Sequence, residues 1–252
     1  TALGALRLDI GSEVICSPIT DPGAIMPVLL QNCIPVFADA DPETMNMDPA
    51  SVATRITPRT RAIVCGHIAG QPCDMDPLLA LAAEHKLYVI EDCAQAHDAE
   101  YKGRKVGSLG HLGCFSLMSG KHTTAGGQGG MVVTNDEELY WNAKRFADRG
   151  KPFNSDAPGN MFLGINYRMT ELGAAIGRVQ LEKLPTIVAH RRRLMAILGE
   201  ELAAADLQCC QLGKQIEGAN SAYWFFLLRF FAERSTVDKA QFAAAVAAEG
   251  AP

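Results

Sequence analysis

Apolar positions along the first 150 residues follow two alternating rhythms. Continuous apolar runs, "EVICSP" (13–18), "PVFADA" (35–40), "TRAIVCGH" (60–67), "LYVIED" (87–92), "GCFSL" (113–117) and "GGMVVT" (129–134), read as strands. The segments between them, 23–32, 49–56, 75–86 and 136–150, carry helical patterns. Strands that are apolar at every position bury both faces, so the alternation predicts an α/β fold with a mostly parallel sheet covered by helices on both sides. Residues 151–168 are rich in Gly, Pro and Asn and predict a long irregular segment, a kind that often carries function. A helical pattern follows from Thr170 to Leu202, and Pro185 inside it should break or kink it, because proline has no N–H to donate. The composition changes at the same point. A large domain over 1–184 is therefore expected, followed by a linking helix and the beginning of a smaller domain over 185–252. "AYWFFLLRFF" (222–231) predicts a strand, and 239–248 a helix whose next element is missing. The chain begins without Met, in what reads as the last turns of a helix, so it is expected to be a fragment.

Composition narrows the class. The 252 residues are 48% hydrophobic and 20% charged, with a net charge of −5, enough for one large core or one domain and part of a second. Mild acidity gives no reason to expect nucleic acid or an anionic membrane as partner. No apolar run approaches the ~20 residues of a membrane helix, and the N-terminus lacks the basic flank and cleavage site of a signal peptide. A soluble, cytoplasmic protein is expected. The eight cysteines lie among apolar or small neighbours, without the spacing of a zinc site. They read as small hydrophobes in a reducing compartment, with no metal.

Ligands of open α/β sheets sit beyond the carboxyl ends of the strands. Three groups occupy such ends here: His67, the Glu91–Asp92 pair, and Ser116 with Lys121. Singly, each has an ordinary structural reading: Asp as a helix cap, His67 as a satisfied semi-buried histidine, Lys121 as a solvated charge. Together they match the needs of pyridoxal phosphate catalysis: a Schiff-base lysine, a carboxylate for the pyridinium nitrogen, and small donors for the phosphate. Asp92 suits the ring nitrogen, Ser116 the phosphate, and Lys121 sits in a loop whose glycines let backbone approach a ligand. The glycines of "GGQGGM" precede a strand, so they form no dinucleotide fingerprint, and Lys121 lacks the following Ser or Thr of a phosphate-binding P-loop.

Six ordered blocks carry a more specific signal. They are "GSEVI", "PVFADADPETMNMD", "GHIAGQPCDMD", "VIEDCAQAHDAEYKGRKVGSLG", "GCFSL…GKHTTAGGQGG" and "GINYRMTELGAAIGRVQLEKL". Over nearly the whole chain they resemble the DegT/DnrJ/EryC1/StrS family, pyridoxal-phosphate-dependent aminotransferases of nucleotide-sugar and aminocyclitol biosynthesis with the fold type I (aspartate aminotransferase-like) architecture. The resemblance implies that Lys121 bonds the cofactor, Asp92 partners its ring nitrogen, Gln95 contacts the ring or its 3-hydroxyl, and Ser116 binds the phosphate. Asn166 would reach the cofactor phosphate of a neighbouring subunit, which implies a homodimer with shared sites. Arg168 reads equally as a structural ion pair. L-glutamate or L-glutamine is the implied amino donor, and a keto sugar or keto-cyclitol the acceptor.

The chain also departs from the family pattern. Asp21 stands near the position where an aromatic residue usually stacks on the ring, Ser12 replaces a commoner Asp, and Asp98 stands where glycine is usual. The family's Ser-Gly-Thr phosphate loop would precede Thr1. Two alternatives stay open: a non-catalytic cofactor-binding homologue, and a sugar dehydratase, in which histidine replaces the lysine.

Overall fold

Helix starts in this chain are marked by side chains that accept the first free N–H groups. Asp21, Asp48, Asp136, Thr170 and Asp238 each cap a helix in this way, and Pro22 and Pro49 supply first-turn residues with no N–H to satisfy. The computed structural model describes residues 1–250. In order they form α1 (Ala2–Leu6), β1 (Glu13–Cys16), α2 (Pro22–Leu30), β2 (Ile34–Phe37), α3 (Pro49–Arg55), β3 (Thr60–Gly66), α4 (Met75–His85), β4 (Tyr88–Asp92), β5 (Glu100–Tyr101), β6 (Arg104–Lys105), β7 (Leu112–Ser116), β8 (Gly130–Val133) and α5 (Glu137–Phe146). Then come α6 (Glu171–Ala205), β9 (Cys210–Leu212), β10 (Ala219–Asn220), β11 (Leu228–Phe230) and α7 (Lys239–Ala248).

The main sheet runs β2-β1-β3-β4-β7-β8, parallel throughout except for β8, which pairs antiparallel with β7. Successive strand residues point to opposite faces, and here both faces are apolar. Ile15, Ile63, Cys65 and Val89 pack on one side with Val52 of α3, Met75, Leu78 and Ala82 of α4, and Leu184 and Val188 of α6. Val14, Cys16, Ala62, Val64 and Ile90 pack on the other with α1, Val28 of α2 and Leu139 of α5. This arrangement is the covered sheet predicted by the continuous apolar runs. All eight cysteines are free and six are buried. Burial pushes the Cys16 and Cys114 thiols up to about 12.

Two expectations are corrected in part. Pro185 does not break its helix: α6 runs unbroken through it. The neighbouring Leu184 and Val188 are buried in the core. Burying such side chains contributes about 1.5–3 kcal/mol each, enough to offset the roughly 3 kcal/mol of an interior proline. The strand expected over 222–231 shrinks to Leu228–Phe230. Its first half is bent away by Tyr223, at φ +50°, and tied to other elements. The Trp224 N–H donates to the Ala69 carbonyl (2.9 Å), and the Arg191 guanidinium donates to the carbonyls of Tyr223 (3.0 Å) and Trp224 (2.8 Å). Asp98 explains its own departure. It sits at φ +65°, the left-handed region that favours glycine and that Asp tolerates better than most residues. Its carboxylate pairs with Lys105 (2.5 Å).

Candidate functional site

Because β1, β3, β4 and β7 are parallel, their last residues gather along one edge of the sheet. Gly66 of β3 lies beside Asp92 of β4, which lies beside Cys114 of β7. Past this edge opens a cavity of about 1320 Å³, whose lining includes Asp21, Asp92, Ser116, Lys121, Tyr167 and Arg168. Three of the five residues singled out in the sequence therefore meet on one surface: Asp92, Ser116 and Lys121.

Asp92 ends β4 on the cavity side. Among the described residues its carboxyl group receives one hydrogen bond, from the Ala94 N–H (3.0 Å). Burial pushes its pKa up, against the pull of that N–H and of the Lys121 charge. Lys121 follows β7 in a loop closed by Leu117 N–H to the Gly129 carbonyl (2.8 Å) and Ser119 N–H to the Gly127 carbonyl (2.8 Å). Gly126 in this loop has φ +83°, and a side chain there would meet Ile176 of α6 at 2.7 Å. The glycines thus serve first to fold the loop against α6. Burial lowers the Lys121 amine, opposed by the charges of Asp92 and Asp21. An acid and a base sharing a cavity with both values moved toward neutrality is an arrangement suited to proton transfer. Ser116 ends β7, and its hydroxyl accepts from the Met118 N–H (3.4 Å).

Gln95 and Asn166 do not line the cavity. The Gln95 side-chain oxygen accepts the N–H of Ala69 (2.7 Å). Asn166 is exposed, and its side-chain oxygen accepts the Arg168 N–H (3.3 Å). Arg168 makes the ion pair considered for it, with Asp148. Asp21, in place of an aromatic residue, caps α2 by accepting the Gly23 N–H (2.8 Å) while lining the cavity.

His67 proves to be a structural residue. Its Nδ1 accepts the Cys73 N–H (3.0 Å), which leaves the ring proton on Nε2 to be donated to Glu91 (3.0 Å). Glu91 is wholly buried and also accepts from Gly107 N–H (2.8 Å), Leu109 N–H (2.8 Å) and Gly110 N–H (2.7 Å). Potential ligand atoms of His67, Glu91 and Cys93 lie within 4.8 Å of one another. Both histidine nitrogens and both Glu91 oxygens are engaged in the bonds just given, which leaves the trio poorly suited to a cation. Sequence reading marked Glu91 only as the neighbour of Asp92.

A sequence profile of the DegT/DnrJ/EryC1/StrS aminotransferase family matches residues 1–251. The chain belongs to this family. It is 38% identical over 232 residues to GDP-perosamine synthase of Caulobacter vibrioides, covering 90% of this chain and 61% of that protein. It is 42% identical over 202 residues to a putative L-glutamine:3-amino-2,3-dideoxy-scyllo-inosose aminotransferase of Streptoalloteichus tenebrarius, covering 80% and 48% respectively. Among solved structures, S. venezuelae DesV in complex with a ketimine intermediate superposes with a TM-score of 0.88 at 31% identity, over 99% of this chain and 64% of that one. The chain thus spans about half to two thirds of the proteins it matches. Its sheet order and covering helices are the fold type I architecture that the six sequence blocks implied. Among the described residues, no helix is long and apolar enough to cross a membrane.

Proposed function

We propose that the chain acts as a pyridoxal 5′-phosphate-dependent aminotransferase. It would move an amino group from L-glutamate or L-glutamine to a keto sugar, nucleotide-linked, or to a keto-cyclitol. The observation that carries the reading is the meeting of Lys121 and Asp92 on one cavity wall at the ends of the strands. The donor set fits the cofactor. Asp92 is a buried carboxyl group with capacity to accept a further hydrogen bond from a cationic ring nitrogen, and Lys121 is an amine shifted toward its neutral, nucleophilic form. When bound, the cofactor supplies the electron sink for the carbanion left when a donor's α-proton is removed. Asp92 holds the ring nitrogen protonated. Lys121 takes the α-proton of the donor and returns it, acting as base and then acid. Ser116 contributes its hydroxyl to the phosphate, and Gln95 steadies the ring side of the pocket.

Asn166 acts toward the site of a second copy, so the working unit is a homodimer. Tyr167, Leu172, Ile176 and Met131 support this. They line the cavity yet are 51%, 80%, 43% and 51% exposed, an apolar rim of the kind that a partner covers. In this reading 1–184 form the cofactor-holding domain, and 185–252 the linking helix and beginning of a smaller one. The sugar and cyclitol acceptors, and L-glutamine as donor, follow the activities named for the relatives. The test is the visible absorption of the protein with pyridoxal phosphate, before and after L-glutamate or L-glutamine, beside Lys121→Ala. A band that needs Lys121 and bleaches with donor supports the proposal; no Lys121-dependent band overturns it.

A further inference from the structure

One side chain outside the sequence-derived set touches Lys121 directly. The Lys121 Nζ lies over the face of Trp224, 3.7 Å from the ring centroid. The indole is not a loose neighbour. Its Nε1–H donates to the carbonyl of Gly120 (2.9 Å), the residue before Lys121, so the ring is fixed to the lysine's own loop. Its backbone is fixed at the other side, through the Ala69 carbonyl and Arg191. Next to it, the Ala222 N–H donates to the Gly70 carbonyl (2.9 Å), and the Ala222 carbonyl is bonded to His122 (3.0 Å).

The turn that receives this strap is itself specialised. Ala69 stands at φ +58°, held there by the bond from its N–H to Gln95, and Gly70 stands at φ +94°. A side chain at Gly70 would lie 2.5 Å from the Tyr223 nitrogen and 2.9 Å from that of Trp224. Several unfavourable backbone choices therefore converge on presenting one indole face to one amine. An ammonium ion over an indole face is stabilised by the negative potential of the ring, most strongly where water is partly excluded.

We propose that Trp224 is the positioning residue for the free Lys121 amine: the indole face receives the lysine as an ammonium ion once it has taken the donor's α-proton, and so holds it beside the reacting carbon with the proton it must return. The proposal rests on the reading of Lys121 given above. In each turnover that reading has the lysine released, protonated by the donor's α-carbon and deprotonated again. A lysine with no resting place would swing into solvent at this stage. The same contact gives Gln95 a second task, since it holds the turn on which Trp224 is docked.

The test measures the protonation of Lys121 directly. Cofactor-free protein is labelled over a range of pH with a trace acylating reagent, and the Lys121 peptide is quantified by mass spectrometry. Wild type is compared with Trp224→Leu and Trp224→Phe, and folding is checked by circular dichroism. The midpoint for Lys121 is expected to fall by about 0.5–1.5 pH units in Trp224→Leu and by less in Trp224→Phe, which keeps an aromatic face. An unchanged midpoint in folded Trp224→Leu overturns the proposal, whatever the cofactor experiment shows. A shifted midpoint in a protein whose wild type forms no Lys121-dependent band with pyridoxal phosphate overturns both this proposal and the reading beneath it. If Trp224→Leu does not fold, Trp141→Phe leaves Trp224 as the single tryptophan. Its fluorescence should then titrate with the Lys121 midpoint and lose that transition in Lys121→Met; a transition that survives Lys121→Met refutes the contact.

Discussion

Replacing Glu91 by Gln changes one atom of a wholly buried side chain and should cost about 3–5 kcal/mol of stability. The carboxylate receives four hydrogens, from His67 and from the N–H groups of Gly107, Leu109 and Gly110. An amide offers one oxygen, which can serve two of them, and turns its NH2 group against the other two. His67 cannot rescue the arrangement by changing tautomer, because its Nδ1 already accepts from Cys73. Two orphaned buried donors at about 1–3 kcal/mol each place the loss in this range. With an m-value near 3 kcal/mol/M, the urea midpoint should fall by roughly 1–1.7 M. Acid sensitivity gives an independent check. Burial alone would push the Glu91 carboxyl up, but His67 and the backbone N–H groups outweigh it and hold the group below its usual value. Since the folded value is depressed, the unfolded chain takes up the proton first. The stabilisation is therefore full above the ordinary carboxylate range and is lost as pH falls through the folded value. Glu91→Gln should flatten that part of the stability–pH curve. A loss below about 1 kcal/mol, or an unchanged acid slope, would show that these hydrogen bonds do not hold the 107–110 turn to β4.

Other outcomes follow from single contacts. Gly70→Ala should lower stability by about 2 kcal/mol or more, through both its φ of +94° and the approach of Tyr223, and thermal unfolding checks this. Asp98→Gly should stay within about 1 kcal/mol of wild type, because relief at φ +65° offsets the loss of the half-exposed pair with Lys105; chemical denaturation reads the difference. Thiol reagents at neutral pH should find Cys209 before Cys16, Cys93 or Cys114, whose thiols burial pushes to about 12, 11 and 12. Peptide mapping of the first modified site decides it. Met75→Ala, removing a fully buried side chain between α4 and the sheet, should cost about 2–5 kcal/mol in the same denaturation assay.

The sheet was legible because its strands are apolar at every position, a local property that only two covered faces can satisfy. Asp92, Ser116 and Lys121 were legible because topology alone sends strand ends to a common edge. What stayed hidden depends on contacts distant in sequence. Pro185 looked like a break because local chemistry says so, and only the burial of Leu184 and Val188 reverses it. Residues 222–227 looked like strand because nothing in "AYWFFL" announces that Ala69, Gly70 and Arg191 will bend it over the Lys121 loop. Trp224 read as one more apolar residue of that run. Asp98 showed as an oddity whose cause, a backbone angle, has no signature in composition.

The two carboxylates that end β4 also make strand register a chemical variable. Glu91 falls on the face shared with Val89, among the donors of the 107–110 turn; Asp92 falls on the face shared with Ile90, toward the cavity. Since both faces of the strand are apolar, a one-residue offset would still bury hydrocarbon on either side, and hydrophobicity would only weakly reject it. It would, however, exchange the acids, sending Glu91 into the cavity and Asp92 under the turn, where its shorter side chain cannot span the same four donors. A single-residue insertion or deletion just before Tyr88 is thus the kind of lesion this chain can fold around while exchanging the acid that faces the cavity. The satisfied Glu91 acts as the proofreader of the alignment on which Asp92 depends.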